Sequence, residues 1–328
     1  MVIWQRSFEP RELMINNVFK NVVSEDFYCY SQRDGVYIDQ NSDSEFYTQN
    51  FGIQWNEFAE TQLDSINGLS KSEDRLFGCS GWHPDSLKDK LVLEIGSGAG
   101  RFTEIFLKYG AYVVSVEPSN AIYANYKNHN NENLLLIKQR LENMPLKFGV
   151  FDFVFCYGVI QHTPSPERSY IQCIKYVKED GMCTFDHYQK RIKPSPYYHP
   201  KYAWRPVTTR LKPRTLLRIV QFYIPLYLPI DTFIRRIPFL GSTLAGIIPV
   251  PCWNYTGAKD VQQSSKTLTE WAIMDTFDAL GAKYDFPWSL HQLQKFASKL
   301  PLKSFHVGLG GNGIILNTYG RRSSPQYE

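Results

Sequence analysis

The sequence predicts an α/β fold. The expected sheet is mostly parallel with an antiparallel last strand, and it carries an N-terminal helical segment and a helical insertion. Three observations support this. Leu91-Val92-Leu93-Glu94-Ile95 is a short apolar run of the kind a strand buried on both faces needs. It leads straight into three alternating glycines, Gly96, Gly98 and Gly100, and then into Arg101 to Tyr109, where Phe102, Ile105, Phe106 and Tyr109 recur at helical spacing. From there to Asp186, apolar strand runs and helical patterns alternate, as successive βαβ units require.

Taken in order, residues 1 to about 50 are polar and irregular, with a turn expected at Asp34-Gly35. Phe51 to Ile66 reads as a helix packed over the mouth of the glycine turn, and Ser72-Glu73-Asp74-Arg75 leads into a second short helix. Strands are expected at 91–95, 112–116, 133–137, 152–157 and 181–186, with helices near 100–109, 119–128 and 166–178. After Asp186 the alternation stops. The stretch to about Asp260 is rich in Pro, Tyr and Arg and reads as a helical cap, 188–259, interrupting a core formed by 86–187 and 260–320 and preceded by an N-terminal segment, 1–85. Its two apolar runs, Ile219 to Ile230 and Ile237 to Trp253, are poor spanning helices: the first is too short and the second is broken by Gly and Pro. Leu268 to Leu280 returns to helical spacing, with Trp271, Met274 and Phe277 on one face. A helix at 289–299 and strands at 303–308 and 312–319 follow. The strands are joined through Gly310-Gly311-Asn312 and must be antiparallel, since so short a link cannot cross over. The tail from Arg321 is expected to be disordered.

Composition excludes several classes. Hydrophobic residues at 43% and charged residues at 21% are ordinary for a globular protein of 328 residues, and a net charge of +4 is too small to argue for nucleic acid. The six cysteines are scattered without a CxxC pair, which predicts reduced thiols in the cytoplasm and no zinc site. Met-Val-Ile-Trp-Gln-Arg opens the chain without a long apolar run, so no signal peptide is expected. The 15% aromatic content suits a sugar or an amphipathic ligand, and equally a large core.

Strand, glycine turn and helix form the arrangement that lets backbone approach a nucleoside closely. Val113 to Val116 reads as the next strand, and Glu117 stands at its carboxyl end, about 20 residues beyond the turn, where a ribose-binding carboxylate belongs. A nicotinamide-type loop would read GxGxxG, whereas this one reads Gly96-Ser97-Gly98-Ala99-Gly100. Tyr123 and Lys127 have the Tyr-x-x-x-Lys spacing of short-chain dehydrogenases, but they lie on the helix after Glu117, far from where that chemistry operates.

With an acid, Glu94, ahead of the GxGxG run, Glu117 after the second strand, and Asp152 to His162 at the fourth, the stretch from Leu91 to Asp186 resembles class I S-adenosylmethionine-dependent methyltransferases, which have a Rossmann-like sheet. The resemblance implies S-adenosylmethionine as cofactor, held by Glu94, Gly96, Ser97, Gly98, Gly100, Glu117, Pro118, Leu141 and Tyr157. Trp55 either touches the methionine end or only packs its helix, and Arg75 either pairs with the cofactor carboxylate or is a solvated charge. Family members usually place an acid where Arg140 stands, so adenine recognition falls to the Leu141 backbone, Gln139 or Glu142. Upstream, Phe51-Gly52-Ile53-Gln54-Trp55 and Thr61-Gln62-Leu63-Asp64 resemble an FGxQW/TQLD subgroup found among saccharide-modifying methyltransferases. Some of its members carry a cysteine-rich metal module. Asp34-Gly35-Val36-Tyr37 resembles a remnant without the cysteines, so no metal is implied. Asp275-Thr276-Phe277-Asp278 and Lys283-Tyr284-Asp285-Phe286-Pro287 also resemble that subgroup, implying a segment that lines the acceptor pocket.

The implied reaction is O-methylation of a saccharide, lipid-linked or polymeric. The alternatives are a methyltransferase for a small natural product and a non-catalytic subunit of the same fold. No NPPY-like run follows the fourth strand, so amino acceptors are not expected. His162 is the candidate base, with Asp186 and His187 after the fifth strand; structural support is its alternative role. The basic residues Arg205, Arg210, Lys212, Arg214, Arg218, Arg235 and Arg236 beside apolar turns suit an anionic or lipid-linked acceptor and peripheral contact with the inner face of a membrane through 205–250. An ordinary helical lid with solvated charges is the alternative. The acceptor is expected to be a small molecule or a glycan, not nucleic acid; the sequence specifies neither the acceptor atom nor the oligomeric state.

Overall fold

The computed structural model describes residues 15–39, 48–190, 200–256 and 264–322. The first elements are α1 (Asn17–Lys20), β1 (Tyr30–Arg33), β2 (Val36–Asp39), α2 (Gln49–Glu57), α3 (Asp64–Asn67) and α4 (Lys71–Ser80). The core follows: β3 (Leu91–Ile95), α5 (Arg101–Lys108), β4 (Tyr112–Val116), α6 (Ile122–Asn128), β5 (Leu134–Lys138), β6 (Phe151–Cys156), α7 (Pro166–Tyr176) and β7 (Val177–Tyr188). Next come α8 (Lys201–Thr208), α9 (Pro213–Arg235), α10 (Gly241–Ile247), α11 (Ser265–Gly281), α12 (Leu290–Ala297), β8 (Leu302–Gly310) and β9 (Gly313–Arg321).

The strands form one sheet in the order β1-β2-β5-β4-β3-β6-β7-β9-β8. β2, β5, β4, β3, β6 and β7 pair in parallel, while β9 runs antiparallel to both β7 and β8. This is the Rossmann-like sheet of class I methyltransferases, with a reversed strand inserted between the fifth and sixth core strands. Alternate residues of each central strand face opposite sides. Leu93, Val114 and Val154 enter one core with Phe151 and Tyr170; Val92, Val113, Phe153 and Phe155 enter another, against Phe102, Ile105 and Phe106 of α5. A separate core lies away from the sheet, where Leu216, Leu217, Val220, Ile224 and Leu228 of α9 meet Ala272, Met274, Phe277 and Leu280 of α11.

Three expectations change. The polar N-terminal stretch is not all irregular: β1 and β2 make a hairpin whose two-residue turn has positive φ at Asp34 (49°) and Gly35 (77°), and β2 pairs with β5, lengthening the sheet. The expected Phe51–Ile66 helix stops at Glu57 and resumes for one turn as α3. β9 runs through Arg321, which was expected in a disordered tail; residues 323–328 lie outside the described residues, as do 1–14.

Candidate functional site

A cavity of about 600 Å³ opens at the carboxyl ends of β3 and β6, the edge where ligands bind in open parallel sheets. One wall is the glycine turn, Gly96, Ser97, Gly98 and Ala99; α2 contributes Phe51, Gln54 and Trp55, and α11 contributes Asp275 and Asp278. The turn follows from its glycines. Gly98 and Gly100 take φ of 54° and 93°, in the left-handed region that other residues avoid. A β-carbon on Gly98 would stand 3.2 Å from Trp55 Nε1, so the indole lies directly on the loop.

Two expected cofactor ligands lie beneath this wall rather than in it. Glu94 is buried and accepts from Thr103 Oγ1 at 2.5 Å and Ser115 Oγ at 2.6 Å, which ties β3 to α5 and β4; burial pushes its carboxyl up to about 7. Glu117 accepts from Gly98 N–H at 3.2 Å and Ser119 N–H at 2.9 Å, so it fixes the glycine loop to the turn after β4, and burial raises its pKa as well. Gly100 caps α5 from behind the loop. Pro118 and Leu141 are also outside the cavity wall; Leu141 is buried in the main core. Trp55, Arg75, Gly96, Ser97, Gly98 and Tyr157 do border the cavity.

The N-terminal segment explains how Arg75 arrives there. Asp64 accepts from Ser72 N–H at 2.9 Å and Glu73 N–H at 3.0 Å, capping α4, whose own Ser70 makes no capping bond. Glu104 of α5 in turn accepts from Asp64 and Ser65 N–H at 2.9 and 3.1 Å. Arg101 donates to Ser72 Oγ at 2.9 Å and Gln62 Oε1 at 3.2 Å. The Gln62 and Asp64 side chains thus brace α4 against α5 and bring two guanidinium groups, Arg75 and Arg101, to one end of the cavity. Burial, then repulsion from Arg75, lowers Arg101 to about 10. Sequence reasoning missed Arg101, although its place just after the third glycine was the available signal.

None of the three expected catalytic residues reaches the cavity wall. His162 Nδ1 donates to the Tyr284 carbonyl at 2.8 Å, its ring is wedged between Phe51 and Tyr188, and burial lowers it to about 4. His187 has both nitrogens engaged, donating from Nε2 to the Phe286 carbonyl at 2.8 Å and accepting at Nδ1 from the Tyr170 hydroxyl at 3.1 Å. Asp186 accepts from Gly158 N–H and, at 2.9 Å, from Asn312 Nδ2, so it anchors two wall residues from behind; burial lifts it to about 6.

The carboxylates that do face the cavity are Asp275 and Asp278, one helical turn apart on α11. Burial and then the neighbouring Asp275 push Asp278 up to about 7. Asp275 accepts from the Tyr255 hydroxyl and is also raised by burial. Rings of Tyr188, Tyr202, Trp253 and Tyr255 surround them. Lys201, also in the wall, pairs with Asp285 at 2.6 Å, and behind it Arg205 donates to the Ala279 and Ala282 carbonyls at 2.8 and 2.7 Å, closing the carboxyl end of α11. Arg205, expected to meet an anionic acceptor, is therefore a clamp within the fold.

The chain's own residues fit a nucleoside cofactor at the glycine turn. Ser97 Oγ and Gln54 Oε1 are buried without a hydrogen-bond partner and both belong to wall residues, so the cavity offers polar atoms that a polar ligand would satisfy. The two guanidinium groups supply the charge a carboxylate needs. α2 divides this cavity from a second hollow lined by Ser119, Asn120 and Arg218, and it packs on the turn after β4: a β-carbon on Gly52 would lie 3.3 Å from Asn120 N. Among the described residues no cluster of His, Cys, Asp or Glu could hold a metal ion.

Comparison with known proteins agrees with this geometry. Residues 93–185 match the family described as methyltransferase domain. A ubiquinone biosynthesis O-methyltransferase of Coxiella burnetii (strain Dugway 5J108-111) is 31% identical over 111 residues, 33% of this chain and 47% of that protein. One of the same description from Pseudomonas aeruginosa (strain LESB58) is 31% identical over 103 residues, 29% of this chain and 43% of that protein. The chain thus spans about half the length of these curated relatives. Among solved structures, one from Methanococcus maripaludis, whose description proposes an S-adenosyl-L-methionine-dependent methyltransferase, is 12% identical with a TM-score of 0.46, covering 87% of this chain and 99% of that one. Residues 93–185 thus resemble a methyltransferase domain, carried here on a Rossmann-like sheet.

Proposed function

We propose that the chain is an S-adenosylmethionine-dependent O-methyltransferase acting on a saccharide hydroxyl, with Asp278 as the base. The observation that carries this is the continuity of one cavity from the glycine turn to the Asp275, Asp278 and Tyr255 wall. Paired carboxylates beside aromatic rings suit a polyhydroxylated acceptor: the acids take hydroxyl protons in hydrogen bonds and the rings cover the apolar faces. Bound at the glycine turn, S-adenosylmethionine supplies a methyl group already activated on a sulfonium. Ser97, the loop backbone, Arg75 and Arg101 bind and orient it, and Trp55 and Phe51 of α2 exclude water. Asp278 then has one task. It takes the proton from the acceptor hydroxyl as that oxygen becomes the nucleophile, a role that suits a carboxyl titrating near neutrality.

The test is purified chain with methyl-labelled S-adenosylmethionine against glycan, lipid-linked glycan and small-molecule pools of a cell extract. Label is expected in a glycan-bearing pool as an alkali-stable ether. Label confined to small phenols or quinone precursors would overturn the saccharide reading, and no labelled product from any pool would overturn the activity. Asp278→Asn should lower kcat by roughly 10²-fold or more while the KM for S-adenosylmethionine changes little. A variant with wild-type kcat would remove Asp278 from the mechanism.

A further inference from the structure

The face of α9 turned away from its core is apolar and, among the described residues, uncovered. Ile219, Phe222, Leu226, Ile230 and Phe233 are 46, 74, 62, 53 and 71% exposed. At the helical increment they fall within an arc of about 80°. Val220, Ile224 and Leu228, on the opposite side, are buried against α11. The stripe continues past the helix end through Phe239 and Leu240 to Leu244 and Ile247 of α10. Phe239 is fully exposed, and its backbone has a φ of 64°, a left-handed conformation uncommon for a bulky residue.

The segment that carries this face is nearly all of one sign, although Glu57 of α2 borders the same hollow as Arg214 and Arg218. From His187 to Lys259 the sequence contains a single acid, Asp231. That acid is buried on the core side of α9 and taken up by Arg235 at 2.6 Å and Asn254 Nδ2 at 2.7 Å. Arg214, Arg218 and Arg236 are exposed along one flank of the stripe. No helix among the described residues is long and apolar enough to cross a membrane, and α9 itself carries Pro225 and Pro229.

We propose that this face docks in the plane of an anionic lipid surface, its apolar side chains entering the acyl boundary and the three arginines meeting the headgroups. An apolar stripe flanked by an excess of cations is the arrangement that such a surface attracts. A second copy of the chain is a poorer occupant, because antiparallel pairing of two such stripes would bring Arg218 of one towards Arg236 of the other, like charge facing like charge.

Co-sedimentation of the full chain with vesicles tests this without reference to the methyl acceptor. The chain should partition onto phosphatidylcholine vesicles containing phosphatidylglycerol and not onto phosphatidylcholine alone, and added salt should weaken the binding. Phe222→Ser with Phe233→Ser should lower partitioning by at least about tenfold while the thermal midpoint stays unchanged, since both side chains already face solvent. Arg214→Gln with Arg218→Gln and Arg236→Gln should lower it several-fold and flatten the salt dependence. Equal binding to both vesicle types, no binding to either, or a serine variant that binds like the parent would each overturn the proposal. So would sedimentation of the free chain as a dimer that the serine substitutions dissociate, which would assign the face to a second copy.

Discussion

At the scale of residues, two kinds of buried titratable group stand side by side with opposite consequences. His162 and His187 are held neutral, each lowered from 6.5 to about 4 chiefly by burial. The unfolded chain therefore binds their protons first as the pH falls. Stability from these groups is complete above about 6.5 and is lost as the pH drops towards 4, on the order of 3 kcal/mol for each. His187→Asn should flatten that acid limb in denaturant titrations at successive pH values; an unchanged limb would show that the ring is not kept neutral. In the proposed mechanism the cavity carboxylates set activity instead. With Asp278 near 7, turnover should fall as the pH drops through neutrality, because a protonated carboxyl cannot accept the acceptor's proton. Asp275→Asn removes the second contributor to that elevation, so the midpoint of the kcat profile should move to lower pH. The sequence placed Asp275 and Asp278 in a segment resembling acceptor-pocket walls, but it gave neither acid a role. Their spacing of three puts both on one helix face, whereas burial beside one another, the cause of the raised pKa, arises only once α11 packs against α2, α8 and α9. His162, Asp186 and His187 were drawn to the active site by their position at strand ends, and each instead makes bonds that lock β6, β7 and the neighbouring loops.

At the scale of elements, legibility followed burial. The central strands β3, β4, β5 and β6 read directly because strands covered on both faces must be continuously apolar, and the observed ends lie within one residue of expectation. β1, Tyr30-Ser31-Gln32-Arg33, did not read as a strand because it is an edge strand with half of its positions exposed. The break after α2 was hidden because Phe58 and Leu63 keep an apolar rhythm through the turn and both are buried. The carboxyl end of α11 depends on one side chain. Arg205, 11% exposed, bonds the Ala279 and Ala282 carbonyls and lies 3.7 Å from Asp285. Arg205→Met should cost about 3 kcal/mol, because it leaves buried carbonyls unpaired and removes a partner from a buried acid. A thermal midpoint equal to the parent's would show that water replaces the clamp. Gly98→Val should be worse for ligand than for fold: a branched side chain at positive φ drives into Trp55, so calorimetry should find S-adenosylmethionine affinity lost while the far-ultraviolet spectrum persists.

At the scale of the whole molecule, the sheet and the α9–α11 pair are separate cores joined at the cavity. α2 touches α6, α9 and α11, so the wall it forms belongs to both. Ligand held between them should stabilise the two together. At a hundredfold excess over Kd, S-adenosylhomocysteine should add roughly 2.7 kcal/mol and merge any separate unfolding steps into one. A shift in only the later of two transitions would locate the ligand on the sheet alone.

The hairpin at the far edge bears on how this protein can be handled. Tyr37 and Ile38 pair with Ile137 and Lys138, and Phe27, Val36 and Tyr37 are buried beneath. A piece trimmed to begin at the glycine-turn domain would therefore leave a bare row of amides and carbonyls along β5, ready to recruit the same strand of another molecule. Expression of such a piece should yield aggregate, and any laboratory seeking a minimal catalytic fragment will need to keep residues 15–39 attached.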